Sequence, residues 1–384
     1  MSDVKKIPDG WLESTLGEIA KVQTGPFGSQ LKNEQYITGG TPVITVEHIS
    51  DFRIKNFNYP SVTEEDKNRL SKYLLKTGDI VFTRVGSVDL SAYVTESQDG
   101  WMFSSRMLSV RPYKEVNAKF LSYYFRQQSY RNYILKIAVG ATMPSINTGI
   151  LKELPVSYPQ LHEQKSIASI LTAFDDKIEL LQAQNKTLEE TAQTIFKEWF
   201  GKYQIGDELP EGWRVGKLGD VLNIKYGKDH KHLANGKFPL YGSGGIMRYV
   251  EKPLYEKPSI LIPRKGTLSN LYYLNEPFWS VDTMFYSEII KTFHGRYAYL
   301  FLKTLDLSAM NVGSAVPSLT TQVLNQIPLI LPSDEIVLKF DEAVNTFYKK
   351  LEENIKQIHT LTKTRDELLP RLMSGEVRVN EFKV

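Results

Sequence analysis

The residues of this 384-residue sequence best suited to chemistry are cations, amides and hydroxyls gathered around glycines. Lys225-Tyr226-Gly227-Lys228-Asp229-His230-Lys231-His232 concentrates donors and positive charge. Tyr241-Gly242-Ser243-Gly244 follows, and its glycines let backbone approach a ligand closely. Lys225, Tyr226, Lys228, His230, Lys231, Tyr241 and Ser243 are therefore candidates for contact with phosphates and base edges. An earlier stretch offers Lys21, Gln23, Thr24, Ser29, Gln30 and Lys32, and its glutamines carry the paired donor and acceptor that match adenine. Two turns, Arg84-Val85-Gly86-Ser87 and Arg264-Lys265-Gly266-Thr267, share an arginine, a glycine two residues on and then a hydroxyl. Arg84, Ser87, Arg264, Lys265 and Thr267 complete the set, since a guanidinium can grip phosphate or guanine with two parallel bonds. Any one of these segments also reads as a solvated surface loop, but the arginine turn recurs, which favours a shared role.

Catalytic chemistry is missing. The Gly-Lys pairs at 216, 227 and 236 are followed by Leu, Asp and Phe, and that at 201 by Tyr, so no nucleotide-binding Gly-x4-Gly-Lys-Ser/Thr exists. There is no Asn- or Asp-Pro-Pro-aromatic tetrapeptide of the kind adenine methyltransferases use, and Pro8-Asp9 has no Glu-x-Lys at nuclease spacing after it. Gly242-Ser243-Gly244-Gly245 lacks the strand-to-helix context of a dinucleotide site. With no cysteine, disulfides, thiolate metal sites and cysteine nucleophiles are excluded. Of six histidines only His230 and His232 are close, beside lysines, which reads as a polar loop rather than a metal site. The net charge of +3 is mild, so any basic surface is local.

The elements that must position these loops form an internal repeat. Pro8-Asp9-Gly10-Trp11 returns as Pro210-Glu211-Gly212-Trp213, an offset of 202; Ile80 to Ser87 returns as Ile260 to Thr267, an offset of 180. Gly140-Ala141-Thr142-Met143-Pro144-Ser145 returns as Gly313-Ser314-Ala315-Val316-Pro317-Ser318, an offset of 173. The shrinking offset places every length change inside the globular parts. Beyond them the offset stays fixed.

The fixed part is a heptad seam. Ile167, Leu171, Phe174, Ile178, Leu181, Leu188, Ala192, Ile195 and Trp199 alternate steps of four and three around Asn185. Adding 173 gives Phe340, Val344, Phe347, Leu351, Asn354, Ile358, Leu361, Arg365, Leu368 and Leu372, with polar interruptions at Asn354 and Arg365. Each is a rod of roughly 50 Å, too long for one small domain to cover, so its natural partner is the other rod. A seam asparagine fixes register and partner. Arg365 and Pro370 stand where the first rod has Ala192 and Lys197, and the proline is expected to end or kink the second helix early.

Inside the heads, short β-branched or apolar runs at Thr41 to Val46, Asp79 to Thr83, Met107 to Val110, Phe238 to Tyr241, Ser259 to Ile262 and Leu271 to Tyr273 predict strands. Helices are expected over Ala118 to Leu135 and Tyr297 to Leu305. The fold class is thus α/β (α+β) heads, two copies in a pseudo-twofold arrangement, joined by two long antiparallel coiled-coil helices. Residues 1–158 make the first head, 159–201 the first helix, 202–331 the second head, and 332–384 the second helix with a C-terminal segment.

Together with Leu154-Pro155-Val156-Ser157-Tyr158-Pro159, Ile327-Pro328-Leu329-Ile330-Leu331-Pro332, Glu163-Gln164, the Tyr-Gly-Ser-Gly-Gly-Ile, Arg-Lys-Gly-Thr and Phe-Trp-Ser-Val-Asp-Thr-Met-Phe-Tyr segments of the second head, and Leu368 to Val379, these features give the chain its likeness. It resembles the specificity (S) subunit of Type I restriction-modification systems over essentially its whole length. The resemblance implies a non-catalytic subunit whose two target-recognition domains each read one half of a split site in double-stranded DNA, while the helices dock two modification (M) subunits. S-adenosylmethionine is then expected on the M subunits, and ATP and magnesium with the restriction (R) subunits. The rival reading is a coiled-coil adaptor whose heads bind protein or glycan. No run of ~18 apolar residues and no apolar leader occur, so no membrane role and a cytoplasmic location are expected.

Overall fold

Ile80-Val81-Phe82-Thr83 is buried along its whole length because both faces of its strand are covered. The computed structural model, which describes residues 8–50, 52–55, 57–310 and 318–379, places it in a four-stranded antiparallel sheet of the first head. The order is β2 (Ala20–Thr24), β5 (Met107–Pro112), β3 (Ile80–Thr83) and β4 (Ser91–Tyr93). On one face Ile80 and Phe82 pack with Leu121 and Phe125 of helix α1 (Ala118–Arg126). On the other, Val81 packs with Val43, Ile44 and Phe103, whose short strands form a second small sheet. Two-residue periodicity alone assigns these faces.

The second head repeats the plan. Its sheet runs β8 (Leu222–Tyr226), β13 (Met284–Ile289), β11 (Ser259–Pro263) and β12 (Tyr272–Leu274), in the same antiparallel order. Ile260 and Ile262 pack with Tyr297 and Leu300 of helix α4 (His294–Leu302), while Leu261 turns to Leu240 and Trp279. The hairpin β9 (Asn235–Gly242) and β10 (Gly245–Val250) supplies the covering sheet. Each head is also tied at its ends, β1 (Leu12–Thr15) to β6 (Pro155–Tyr158) and β7 (Arg214–Lys217) to β14 (Pro328–Leu331).

From β6 and β14 the chain enters the long helices α3 (Leu161–Phe200) and α5 (Asp334–Met373), of 40 residues each. The chain folds into two compact units, Met1–Leu180 with Ile358–Val384, and Leu181–Gln357, so each long helix contributes one part to each unit. In the first unit Ile167, Ala168 and Leu171 share a core with Leu369, Leu372 and Met373, and with Trp11 and Phe120 of the head. In the second, Ala192, Phe196 and Phe200 share one with Phe340, Val344 and Leu351. The helices are antiparallel within both. Arg365, which interrupts the second seam, donates from Nη1 to Asp175 Oδ1 at 2.7 Å; Asp175 Oδ2 accepts from Tyr123 at 2.8 Å and Arg126 at 2.6 Å.

Three expectations need correcting. Pro370 does not shorten its helix: it forgoes the bond that an N–H there would give to the Asp366 carbonyl, but only three helical residues follow it, and Ser374 N–H still closes onto the Pro370 carbonyl at 3.0 Å. The helix expected over Ala118 to Leu135 is two, α1 and α2 (Gln128–Ile137), broken at Gln127, whose backbone is extended at ψ 133°. That break lets Tyr130 fold back onto Phe125, with ring centroids 5.1 Å apart. The second head's helix runs His294–Leu302 rather than Tyr297 to Leu305. The seam is the more buried stripe, with Ile167, Leu171, Ile178, Leu181, Ala192, Phe340, Val344, Leu351, Asn354 and Leu372 buried and Phe174, Leu188, Phe347, Ile358 and Leu361 half-buried; beside it Asp175, Phe196 and Tyr348 are buried as well. Those three sit one position later and face the heads, a second packing surface that a heptad pattern does not encode. Of the repeated turn over residues 313–318, residues 313–317 lie outside the described residues.

Candidate nucleic-acid interface

Register brings one end of each sheet's strands together. In the first head Thr24 pairs with Leu108 and Thr83 with Met107, so the end of β2, the end of β3 and the start of β5 share an edge. Arg84 follows directly. Its backbone N–H donates to Arg106 O at 2.8 Å, its Nη1 to Ser105 O at 3.2 Å, and its guanidinium lies over the Phe27 ring at 5.8 Å. Ile146 N–H donates to the Arg84 carbonyl at 3.0 Å. The turn then reverses through Gly86 at φ +83°, a left-handed conformation that favours glycine.

The second head builds the same edge from different residues. Arg264 N–H donates to Thr283 O at 2.9 Å, Nη1 to Asp282 O at 3.3 Å, and the guanidinium lies over Tyr226 at 5.4 Å. Leu319 N–H donates to its carbonyl at 3.0 Å, and Gly266 stands at φ +84°. Ser243 joins this edge: a Cβ on Gly266 would stand 2.8 Å from its Oγ, which seats the Gly242 to Gly245 turn against the arginine turn. Asn270 Nδ2 and Tyr272 OH hold the Ser243 carbonyl at 2.8 and 3.3 Å. Ile246 and Met247, 46% and 60% exposed, extend beyond it.

The two edges gather Thr24 with Arg84, and Tyr226 and Ser243 with Arg264 and its turn. Ser29, Lys32, Ser87, Lys228, Lys231, Lys265 and Thr267 are exposed, with His230 half-buried. Arg248 fixes the loop that carries the cations, donating to His230 O at 2.7 Å and to Leu233 O at 3.1 Å, while Trp279 Nε1 donates to Lys228 O at 3.1 Å. Other candidates are engaged elsewhere. Tyr241 is 7% exposed and belongs to the second head's core, where burial pushes its hydroxyl pKa up. Gln23 Nε2 donates to Lys72 O at 2.9 Å and Gln30 Oε1 accepts from Tyr73 at 2.6 Å, so both amides serve the fold. Lys225 lies 3.9 Å from Glu288, and Lys21 lies on β2 opposite Arg111, away from Thr24. Phe27 and Arg248 were missed by sequence reasoning. An exposed aromatic between Pro26 and Gly28 is a usable signal for the first; the second had none.

Among the described residues no group of three or more His, Asp or Glu side chains is placed to hold a metal ion, and no helix is long and apolar enough to cross a membrane. What the edges offer is hydrogen-bond donors, cations and half-exposed rings.

A family model described as the Type I restriction modification DNA specificity domain matches residues 8–190 and 210–361. The MjaIX specificity subunit of a type I restriction enzyme from Methanocaldococcus jannaschii is 26% identical, over 99% of this chain and 96% of its own. A putative type I specificity subunit of Mycoplasma genitalium is 28% identical over 67% of this chain and 71% of its own. The crystal structure of the S subunit of a type I restriction-modification system from M. genitalium aligns with a TM-score of 0.62 over 97% of this chain and 98% of that one, at 21% identity, and shares the fold.

Proposed function

Since the chain belongs to the Type I restriction-modification DNA specificity family, we propose that each head reads its own half of a bipartite site in double-stranded DNA, for modification subunits that do the chemistry. One observation carries this reading: the arginine turn is built twice, once per head, on equivalent edges of two separate sheets. Variation confined to heads on constant helices is what a reader of two independent sequences needs. Resemblance to specificity subunits further implies S-adenosylmethionine on two modification subunits docked on the long helices, and ATP and magnesium with restriction subunits. A DNA reader of this kind belongs in the cytoplasm.

The test is methylation mapping. The purified chain with S-adenosylmethionine should transfer no methyl group, and adding its modification subunits should yield adenine methylation at one bipartite sequence. Arg84→Ala and Arg264→Ala should then disturb different halves of that sequence. Methyl transfer by the chain alone, or disturbance of the same half by both variants, would overturn the proposal.

A further inference from the structure

Both interface arginines are held before any DNA arrives, each through its backbone N–H and Nη1, and Arg84 Nη1 also donates to Thr24 Oγ1 at 3.5 Å. Arg84 Nη1 donates to Ser105 O at 3.2 Å and Arg264 Nη1 to Asp282 O at 3.3 Å; the backbone N–H of each takes the next carbonyl, Arg106 O and Thr283 O. These acceptors correspond at an offset of 177, so the tether is a repeated feature. The ring beneath each guanidinium is not. At the local offset of 202, Tyr226 corresponds to Thr24 and Phe27 to Asp229. The rings come from different places, Tyr226 from the last residue of β8 and Phe27 from the loop beyond β2, yet they reach the same position under the arginine. A leftover of duplication would have kept one position in both heads. Recurrence from non-equivalent positions points instead to a requirement.

We infer that Phe27 and Tyr226 are positioning residues, each holding its head's arginine as a preformed fork for a guanine edge in the major groove. This rests on the reading of the heads proposed above. A guanidinium has five N–H donors in one plane; one Nη1 hydrogen is occupied by the carbonyl, and the ring covers one face, leaving the Nε and Nη2 edge free among the described residues. That edge matches O6 and N7 of guanine, whereas a phosphate contact needs no fixed plane. An arginine already fixed loses less side-chain freedom on binding, so the ring supports discrimination rather than general affinity. Phe27 and Tyr226 are 50% and 49% exposed, which is more than a ring serving only the core requires.

The experiment uses the chain assembled with its modification subunits and a duplex library randomised over both half-sites, sequencing what the complex retains. Arg264→Ala should flatten one position of the second half-site, a guanine in the wild-type selection. Tyr226→Ala should weaken the same preference by about tenfold, leaving the first half-site and the salt dependence of non-specific binding unchanged. Tyr226→Phe should retain the preference, and adding Tyr226→Ala to Arg264→Ala should change nothing further. Phe27→Ala and Phe27→Tyr should behave likewise toward Arg84 and the first half-site. The positioning role is overturned if Tyr226→Ala selects the wild-type sequence unchanged, if it flattens a position that Arg264→Ala leaves alone, or if the two losses add. A wild-type complex that selects no sequence would sink the function itself, which separates the two failures. Since Tyr226→Phe keeps the packed ring, an effect of misfolding alone shows as a fallen melting temperature in Tyr226→Ala together with uniform loss at all positions, and that too overturns the role.

Discussion

Asn354 donates from Nδ2 to Asn185 Oδ1 across 2.9 Å, joining two interruptions that the heptad pattern marks on separate helices. The duplication would match Asn185 with Ile358, 173 residues on. Antiparallel pairing sets it against Asn354 instead, which is fully buried. A polar pair at a seam sacrifices stability for a single register.

Asn354→Leu should therefore be less stable than the double variant Asn185→Leu/Asn354→Leu, because the single change leaves one amide facing hydrocarbon at a cost of about 1 kcal/mol or more. Thermal melting of the three proteins checks this. A single variant that melts above the double would show that the bond does not link the two helices energetically.

Asp175 receives Arg126, Arg365 and Tyr123 with its side chain only 5% exposed. Burial alone would raise its pKa, but the Arg126 charge and the bonds from Arg365, Tyr123 and Arg126 outweigh it, holding the carboxyl below the ordinary 3.8. Its contribution is thus fully present above that value and fades as pH falls through the lower folded value. Asp175→Asn should destabilise the protein by about 3 kcal/mol at neutral pH, a gap that stays level down to about pH 4 and narrows only below it. Urea unfolding followed by tryptophan fluorescence across pH decides the matter, and a gap that widens on acidification would refute the assignment.

A Cβ on Gly227 would stand 2.0 Å from Val281 O, and one on Gly25 2.1 Å from Ser104 O. Backbone cannot yield as a flexible side chain can, so Gly227→Ala should push the end of β8, and Tyr226 with it, off its place beside Arg264. We expect second half-site selection to degrade while the first is kept, with a loss of about 1 to 3 kcal/mol in stability. Unchanged selection by the assembled complex would mean that this approach is not needed for reading.

Arg248 spans His230 O, Leu233 O and, at 3.3 Å, Asn235 Oδ1, a fork that orders the loop carrying Lys228 and Lys231. Arg248→Ala should weaken target binding by about tenfold, or about 1.4 kcal/mol, without altering the selected sequence. Arg248→Lys should not restore it, since an ammonium cannot serve three acceptors in one plane. Binding titrations on the mapped target provide the check, and full rescue by lysine would show that charge alone suffices.

Much of this molecule was legible in the chain. The doubled Pro-x-Gly-Trp openings, the paired Arg-x-Gly-Ser/Thr turns and the two seams gave the repeat, the heads and the antiparallel helices, because turn chemistry and apolar periodicity are local or nearly so. The strand order within each head followed from neither. It depends on pairings between residues as distant as Ala20 and Pro112, and nothing in either segment names its partner.

The site divides the same way. Residue type and spacing selected Thr24 and Arg84 in one head and Tyr226, Ser243 and Arg264 in the other, and the strand ends gather each set within its own head, since glycine and arginine in a turn announce themselves. Type could not tell Tyr226, at the rim, from Tyr241, in the core, nor show that Gln30 is already engaged by Tyr73. It also gave Asp175 no special standing among the other charges of its helix, though Arg126 and Arg365 converge on it from two other helices. The sequence determines which groups can donate, accept or carry charge and how local backbone turns. Which of them still face solvent once the sheets and helices have packed is decided only by contacts between residues far apart in the chain, because desolvation depends on every neighbour at once and no local pattern records it.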